Sequence, residues 1–269
     1  MPLGLTRFLM ALKKAIIPPI DPTEWEQLPR YLGTTNGTYV LNIAKSIDNG
    51  ILLSVASGEY TGIGRSTDKG RTWETISGPL GIRVFDVAES QTNPLRFMVA
   101  ALQYGGEVLI KESLNGGVTW SNKQSLGQGD NATMMHCMGN GIWLTFSKLN
   151  GACRVYRSLD DGETFSFWQS VSSDCYNADS ANGTCVLCCI DGNMYYTNDG
   201  ATTLNICTIN GSLYSGGAIK VAGSDSGFFV ATRYGSPESE GQVMVSSDGI
   251  TFNAIQVGSA VRGVEWLGG

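Results

Sequence analysis

Ser66-Thr67-Asp68-Lys69-Gly70-Arg71-Thr72-Trp73 decides how this chain is read, because near-copies of it recur along most of the length. Ser113-Leu114-Asn115-Gly116-Gly117-Val118-Thr119-Trp120 repeats it with Asn for Asp, and Ser158-Leu159-Asp160-Asp161-Gly162-Glu163-Thr164-Phe165 ends on Phe instead of Trp. Thr197-Asn198-Asp199-Gly200-Ala201-Thr202-Thr203 and Ser246-Ser247-Asp248-Gly249-Ile250-Thr251-Phe252 carry a turn one residue shorter. In each copy an Asp or Asn side chain can accept from backbone amides further along, and Gly supplies the positive φ a reversal needs. Strand-like runs flank the copies, such as Val108-Leu109-Ile110 before one and Trp73-Glu74-Thr75-Ile76 after another. Asp68, Asn115, Asp160, Asp199 and Asp248 are therefore expected to be structural, each closing a hairpin.

Glu24-Trp25-Glu26-Gln27-Leu28 echoes Thr72-Trp73-Glu74-Thr75-Ile76, so a lone outer strand without its turn precedes the first copy. The aromatic or equivalent positions fall at 25, 73, 120, 165, 203 and 252, a period near 45 residues. Inner strands are expected at Tyr39–Ala44, Arg83–Ala88, Thr133–Met138, Cys175–Asp179, Ala218–Ala222 and Ala260–Glu265. Five complete units follow, at 38–77, 82–123, 132–170, 175–209 and 217–257.

These turns resemble the Asp-box, or bacterial neuraminidase repeat, of β-propellers that include sialidases, some glycoside hydrolases and many bacteriophage virion proteins. The resemblance covers roughly residues 23–266. It implies an all-β propeller of six four-stranded blades, the sixth a composite of both chain ends, which removes exposed sheet edges. Five blades are the alternative, since the composite blade is one strand short. In that family the box is a turn on the outer edge, away from the functional site, so the resemblance implies the fold and leaves activity open.

Residues 21–269 thus form one propeller domain, preceded by an N-terminal helix and extended arm over 1–20. Leu5, Phe8, Leu9, Leu12 and Ile16 fall at helical spacing on one face, and Pro18-Pro19 ends the run. Its basic residues Arg7, Lys13 and Lys14 and the lack of a small-residue cleavage site do not read as a secretory signal. The run is too short to span a bilayer. The helix packs on its own propeller, docks to a neighbouring subunit in an assembly, or binds a membrane surface.

A formal net charge of −6 and a pI near 4.8 argue against nucleic acid as a partner. Of seven cysteines, six lie between Cys153 and Cys207; an odd number cannot pair completely, which suggests a reducing compartment. Cys185-Val186-Leu187-Cys188-Cys189 contains a Cys-x-x-Cys, but strand alternation sends Cys185 and Cys188 to opposite faces, so these are expected to be buried small residues. No metal or cofactor is expected, and the chain has a single histidine.

In a propeller, ligands meet the face opposite the boxes. The loops joining second to third strands there carry Tyr60, Tyr104 and Tyr234, whose rings could stack on sugars or simply cover the blade edge. Aligned inner strands place Asn42, Asp86, His136 and Asn177 at one level, expected to line the central channel and hold water, an ion or a small polar ligand. Sialidase chemistry, as the resemblance defines it, needs an arginine triad and an early Phe/Tyr-Arg-Ile-Pro motif. Leu28-Pro29-Arg30-Tyr31 does not match that motif, and of Arg30, Arg83 and Arg233 only Arg83 falls on an expected inner strand. A glycosidase would also need two facing carboxylates, and Asp86 has no evident partner. The expectation is a non-enzymatic virion component of tail or spike, made in a host cytoplasm, docked to other tail proteins through its helix and open to homo-oligomerisation. A glycan-binding module and a sialidase-like hydrolase are the alternatives.

Overall fold

The computed structural model describes residues 40–45, 50–56, 63–76, 83–211, 217–234 and 241–257. The expected N-terminal helix with Leu5, Phe8, Leu9, Leu12 and Ile16, the lone outer strand at 24–28, the closing strand at 260–265 and Tyr60 lie outside them. Among the described residues every regular element is a strand. The first sheet is β1 (Val40–Lys45), β2 (Leu52–Ala56), β3 (Ile63–Ser66) and β4 (Glu74–Ile76); the second is β5 (Arg83–Glu89), β6 (Phe97–Leu102), β7 (Glu107–Ser113) and β8 (Ser121–Gln128). The third is β9 (Asn131–Gly139), β10 (Ile142–Leu149), β11 (Ala152–Ser158) and β12 (Ser166–Val171); the fourth is β13 (Cys175–Ala181), β14 (Thr184–Cys189), β15 (Met194–Thr197) and β16 (Asn205–Ile206). The fifth runs β18 (Ala218–Gly223), β19 (Phe229–Tyr234), β20 (Gly241–Ser246) and β21 (Thr251–Gln256), with β17 (Thr208–Asn210) added parallel to β21. The expected fourth unit, 175–209, therefore ends early: the chain leaves it after Ile206 and joins the next sheet.

Successive innermost strands β1, β5, β9, β13 and β18 pack side by side in chain order. Each core cluster is shared by two consecutive sheets: Leu53, Val55 and Ile63 meet Val87, Phe97 and Val99, while Val186, Cys188 and Met194 meet Phe229, Met244 and Phe252. Second strands are buried on both faces, which explains why Phe97-Met98-Val99-Ala100-Ala101-Leu102 reads as a continuous apolar run instead of alternating. Outer strands such as β8 are mostly exposed and polar.

The recurring turn is a closed hydrogen-bond circuit. In the first copy Ser66 Oγ donates to Asp68 Oδ1 at 2.8 Å and accepts from Gly70 N at 2.8 Å. Asp68 in turn accepts from Thr72 N at 2.8 Å and Thr72 Oγ1 at 2.6 Å. Asp160 and Asp199 repeat both threonine bonds, and Asp248 accepts from the Ile250 and Thr251 amides. In the second copy Asn115 Oδ1 accepts from Thr119 N while Asn115 Nδ2 donates to Thr119 Oγ1 at 2.8 Å, so the hydroxyl bond runs in reverse. Side-chain bonds from Thr72 and Ser158 respectively are the main causes that hold Asp68 and Asp160 at a pKa of about 2. Asp199 is held at about 2 chiefly by the Thr203 amide, and Asp248 is lowered by the Thr251 amide.

These turns also fasten one sheet to the next. Arg65 Nε donates to Gly116 O at 2.7 Å, and Arg157 donates to Ala201 O, each reaching from one sheet to the turn of the following one. Between the second and third sheets buried Arg96 does the same through Asp161 at 2.9 Å, held by Glu112 at 2.7 Å and lying over Trp143. Gly117 and Gly162, at φ +85° and +75°, press their Cα against Leu53 and Met98 of the preceding sheet; a Cβ would approach those side chains to 2.6 and 2.5 Å. Glycine is required there for conformation and for space.

Candidate ligand-binding channel

Antiparallel connection puts the Asp/Asn turns and the first hairpins at one end of the sheets and the second-to-third-strand loops at the other. Tyr104 stands in such a loop between β6 and β7 and is 87% exposed, so its ring does not cover a blade edge. Tyr234 ends β19 at the same end; its side chain lies outside the described set. The structure thus places two of the three expected tyrosines on one face and describes one ring.

At the centre, β5, β9 and β13, with Val221 of β18, border an open cavity of about 220 Å³ lined by Asp86, His136 and Asn177, which the sequence singled out, and by Glu89, Asp179 and Ser180, which it did not. Asn42 occupies β1 opposite Val55; its side chain is outside the described set. Asp86 therefore does have neighbouring carboxylates, Glu89 and Asp179, on the same cavity wall, contrary to expectation. They were hidden because Asp179 comes from the strand two sheets further on.

The register also corrects the level of His136. Val55, Phe146 and Cys188 stand equally far along their strands from the residue opposite the turn Ser or Thr, and they pair with Asn42, Met134 and Asn177. His136 pairs with Leu144, one level with Asp179, which pairs with Val186. The strands differ in bulge position. One irregularity falls between Val40 and Asn42 in β1 and one between Cys175 and Asn177 in β13, whereas β9 carries two, between Asn131 and Met134 and between Cys137 and Gly139. The same rule puts Lys220, opposite Thr232 just after the β18 bulge, level with Asn177.

An innermost strand leaves alternate N–H groups unpaired on its free edge, and these must find acceptors. Asp86 Oδ2 accepts from Met135 N at 3.1 Å, Asn177 Oδ1 from Val221 N at 2.8 Å and Asp179 Oδ2 from Gly223 N at 2.7 Å. Each bond crosses to the next sheet. Asp86 Oδ1 and Asp179 Oδ1 also accept from Val87 N and Ser180 N. His136 Nε2 and Ser180 Oγ bond across sheets at 2.8 Å. Burial lowers the His136 pKa, opposed by the Asp179 charge, so the ring is neutral near pH 7.

Other sequence candidates resolve as structure. Arg233 lies on β19, a second strand, buried, with NH1 donating to Gly192 O; burial lowers its pKa. Cys185 and Cys188 do point into different core clusters. Cys189, expected to be a free thiol, is instead bonded to Cys175, its partner in the β13–β14 register. The sequence hid this pair because the two residues are 14 apart and become opposite only once that hairpin forms. Among the described residues no group of three or more His, Cys, Asp and Glu side chains is placed to hold a metal.

No family model matches the chain, and no curated protein matches it. Solved structures do. A GH74 xyloglucanase from Xanthomonas campestris superposes with TM-score 0.59 at 14% identity, covering 81% of this chain and 38% of that one. YCF48 bound to D1 peptide gives 0.58 at 14%, covering 87% and 69%. A putative TolB from Agrobacterium tumefaciens gives 0.59 at 12%, covering 81% and 80%. The fold is a β-propeller. Its five described sheets are blades, and the cavity is the axial channel. The chain spans well under half of the xyloglucanase, so that likeness speaks for the shared fold alone.

Proposed function

We propose that this propeller is a non-catalytic scaffold that presents its loop face to a macromolecular partner within a larger assembly, concretely a bacteriophage or prophage tail or spike component. The observation that carries the non-catalytic part is the use made of the channel carboxylates. Asp86 and Asp179 each accept two backbone N–H groups, tying blade to blade, which is work that a general acid or nucleophile could not share without loosening the ring. The exposed Tyr104 supports the loop face as the contact, since an exposed ring stacks on a sugar or a peptide alike. The resemblance of the turns to Asp-box repeats supports the virion setting, and residues 1–17 supply the attachment to neighbouring tail proteins. Deleting residues 1–17 abolishes incorporation into the particle while leaving a folded propeller; unchanged incorporation refutes the attachment role. Binding of an assembled multimer on a glycan array, lost in Tyr104→Ala, identifies a host glycan as what the face contacts.

A glycoside hydrolase is the second reading, favoured by Asp86, Glu89 and Asp179 around one cavity. Turnover of xyloglucan or a sialoside, lost in Asp86→Asn, would establish it.

A further inference from the structure

We infer that the axial channel is a binding site for a guanidinium group, whose planar fork spans carboxylates that do not converge on one point, between β5, β9 and β13 at Asp86, Glu89 and Asp179. The cavity of about 220 Å³ is far larger than a single ion fills. Three carboxylates line it, and among the described lining residues there is no Lys or Arg, so its field favours a cation. The aspartates cannot turn away. Asp179 is pinned by the Ser180 and Gly223 amides at 2.7 Å each, two bonds to a group with about four acceptor sites. A pinned carboxylate is a preorganised acceptor for charge-assisted N–H donors.

His136 and Ser180 complete the wall. With the ring neutral and bonded to Ser180, the described cavity lining carries no positive charge near pH 7. Among the described residues the titratable groups lining the cavity with it are Asp86 and Glu89 from β5, Cys137 from β9 and Asp179 from β13, and Lys220 on β18 stands level with Asn177. Protonating His136 adds a cation to the place the ligand occupies, so occupancy and protonation exclude one another. A metal ion fits this wall less well, since no trio of ligating side chains converges among the described residues.

The same guanidinium can arrive on a free small molecule or on an Arg of the docked partner. The second source deepens the scaffold reading and rests on it; the first stands without it. The test is calorimetric titration of the intact chain with agmatine and, separately, with a capped arginine-containing peptide. Agmatine binding alone assigns a small molecule; tighter binding of the peptide assigns a partner side chain. Glu89→Gln and Asp179→Asn each weaken whichever probe binds by ~tenfold or more, Asp179→Asn keeping an oxygen for the Gly223 amide. Affinity falls as pH drops through the lowered His136 pKa in the parent chain and stays level in His136→Gln. Three results overturn the proposal: no binding of either probe at millimolar concentration, unchanged affinity in both carboxylate variants with circular dichroism intact, or calcium binding where agmatine fails. Particle incorporation, which tests the scaffold reading, is untouched by any of them.

Discussion

Replacing Gly117 with Ala isolates what the recurring turn contributes to the ring. The residue sits at φ +85°, where a Cβ costs about 1–2 kcal/mol. That Cβ would also stand 2.6 Å from Leu53 Cδ2, on a side chain with no exposure and no room to retreat. Overpacking of this kind costs about 1–3 kcal/mol. The two together give about 2–5 kcal/mol, or roughly 5–15 °C in Tm for a chain of this size. Gly127→Ala is the control, because Gly127 has nearly the same φ, +87°, and a Cβ there would meet nothing within 4 Å. It should lose about 1–2 kcal/mol only. Thermal unfolding followed by tryptophan fluorescence reads both, and a double-mutant cycle with Leu53→Ala should recover the packing part of the Gly117 penalty. Equal losses at Gly117 and Gly127, or no coupling to Leu53, would refute the claim that the turn is wedged against the preceding blade.

Acid sensitivity should trace to the turn aspartates. Their folded pKa values, about 2 for Asp68, Asp160 and Asp199, lie below the unfolded carboxylate value of about 3.9, so their contribution is complete above that value and is lost as pH falls through about 2. The triple Asp→Asn variant at these positions, which copies the native Asn115 turn, should show a shallower stability loss between those limits in acid titrations. Arg96→Ala should cost about 1.5–3 kcal/mol in urea unfolding, because it removes a charge-assisted bond from Glu112, leaving that carboxylate to Lys123 alone, and bares the Trp143 face, and Arg96→Lys should restore only part. Alkylation of the denatured chain without reductant should modify five cysteines, and with reductant all seven; seven without reductant would exclude the Cys175–Cys189 bond.

The rim of the propeller was legible in the sequence and the hub only in part: Asp86, His136 and Asn177 were expected on the channel wall and line it, but the bonds they make across blades were not foreseen. Ser66, Asp68, Gly70 and Thr72 act on each other within seven residues, so their spacing carries their geometry. The inner strands β5, β13 and β18 fall within a few residues of their expected places for the same reason: each follows a counted interval from a turn. Asp179 and Glu89 escape notice as wall residues because only ring curvature brings β5 and β13 to one cavity. The expected level of His136 is two residues out of step, on a strand whose two irregularities leave no mark in composition. The inter-blade bonds from Asp86, Asn177 and Asp179 span 44 to 49 positions, and no local pattern announces them.

The crossing of β17 to lie beside β21 has a consequence for how such a chain can change. A unit cut at the apparent repeat boundary would carry the segment Thr208–Asn210 away from the strand that receives it, leaving one orphaned hem and one bare edge. Duplication or loss of a whole module is therefore viable only when the cut falls at Cys207, between the two strands, so that the donor's last residues travel with the recipient. Designers splicing units from this protein face the same constraint on where to place the scissors.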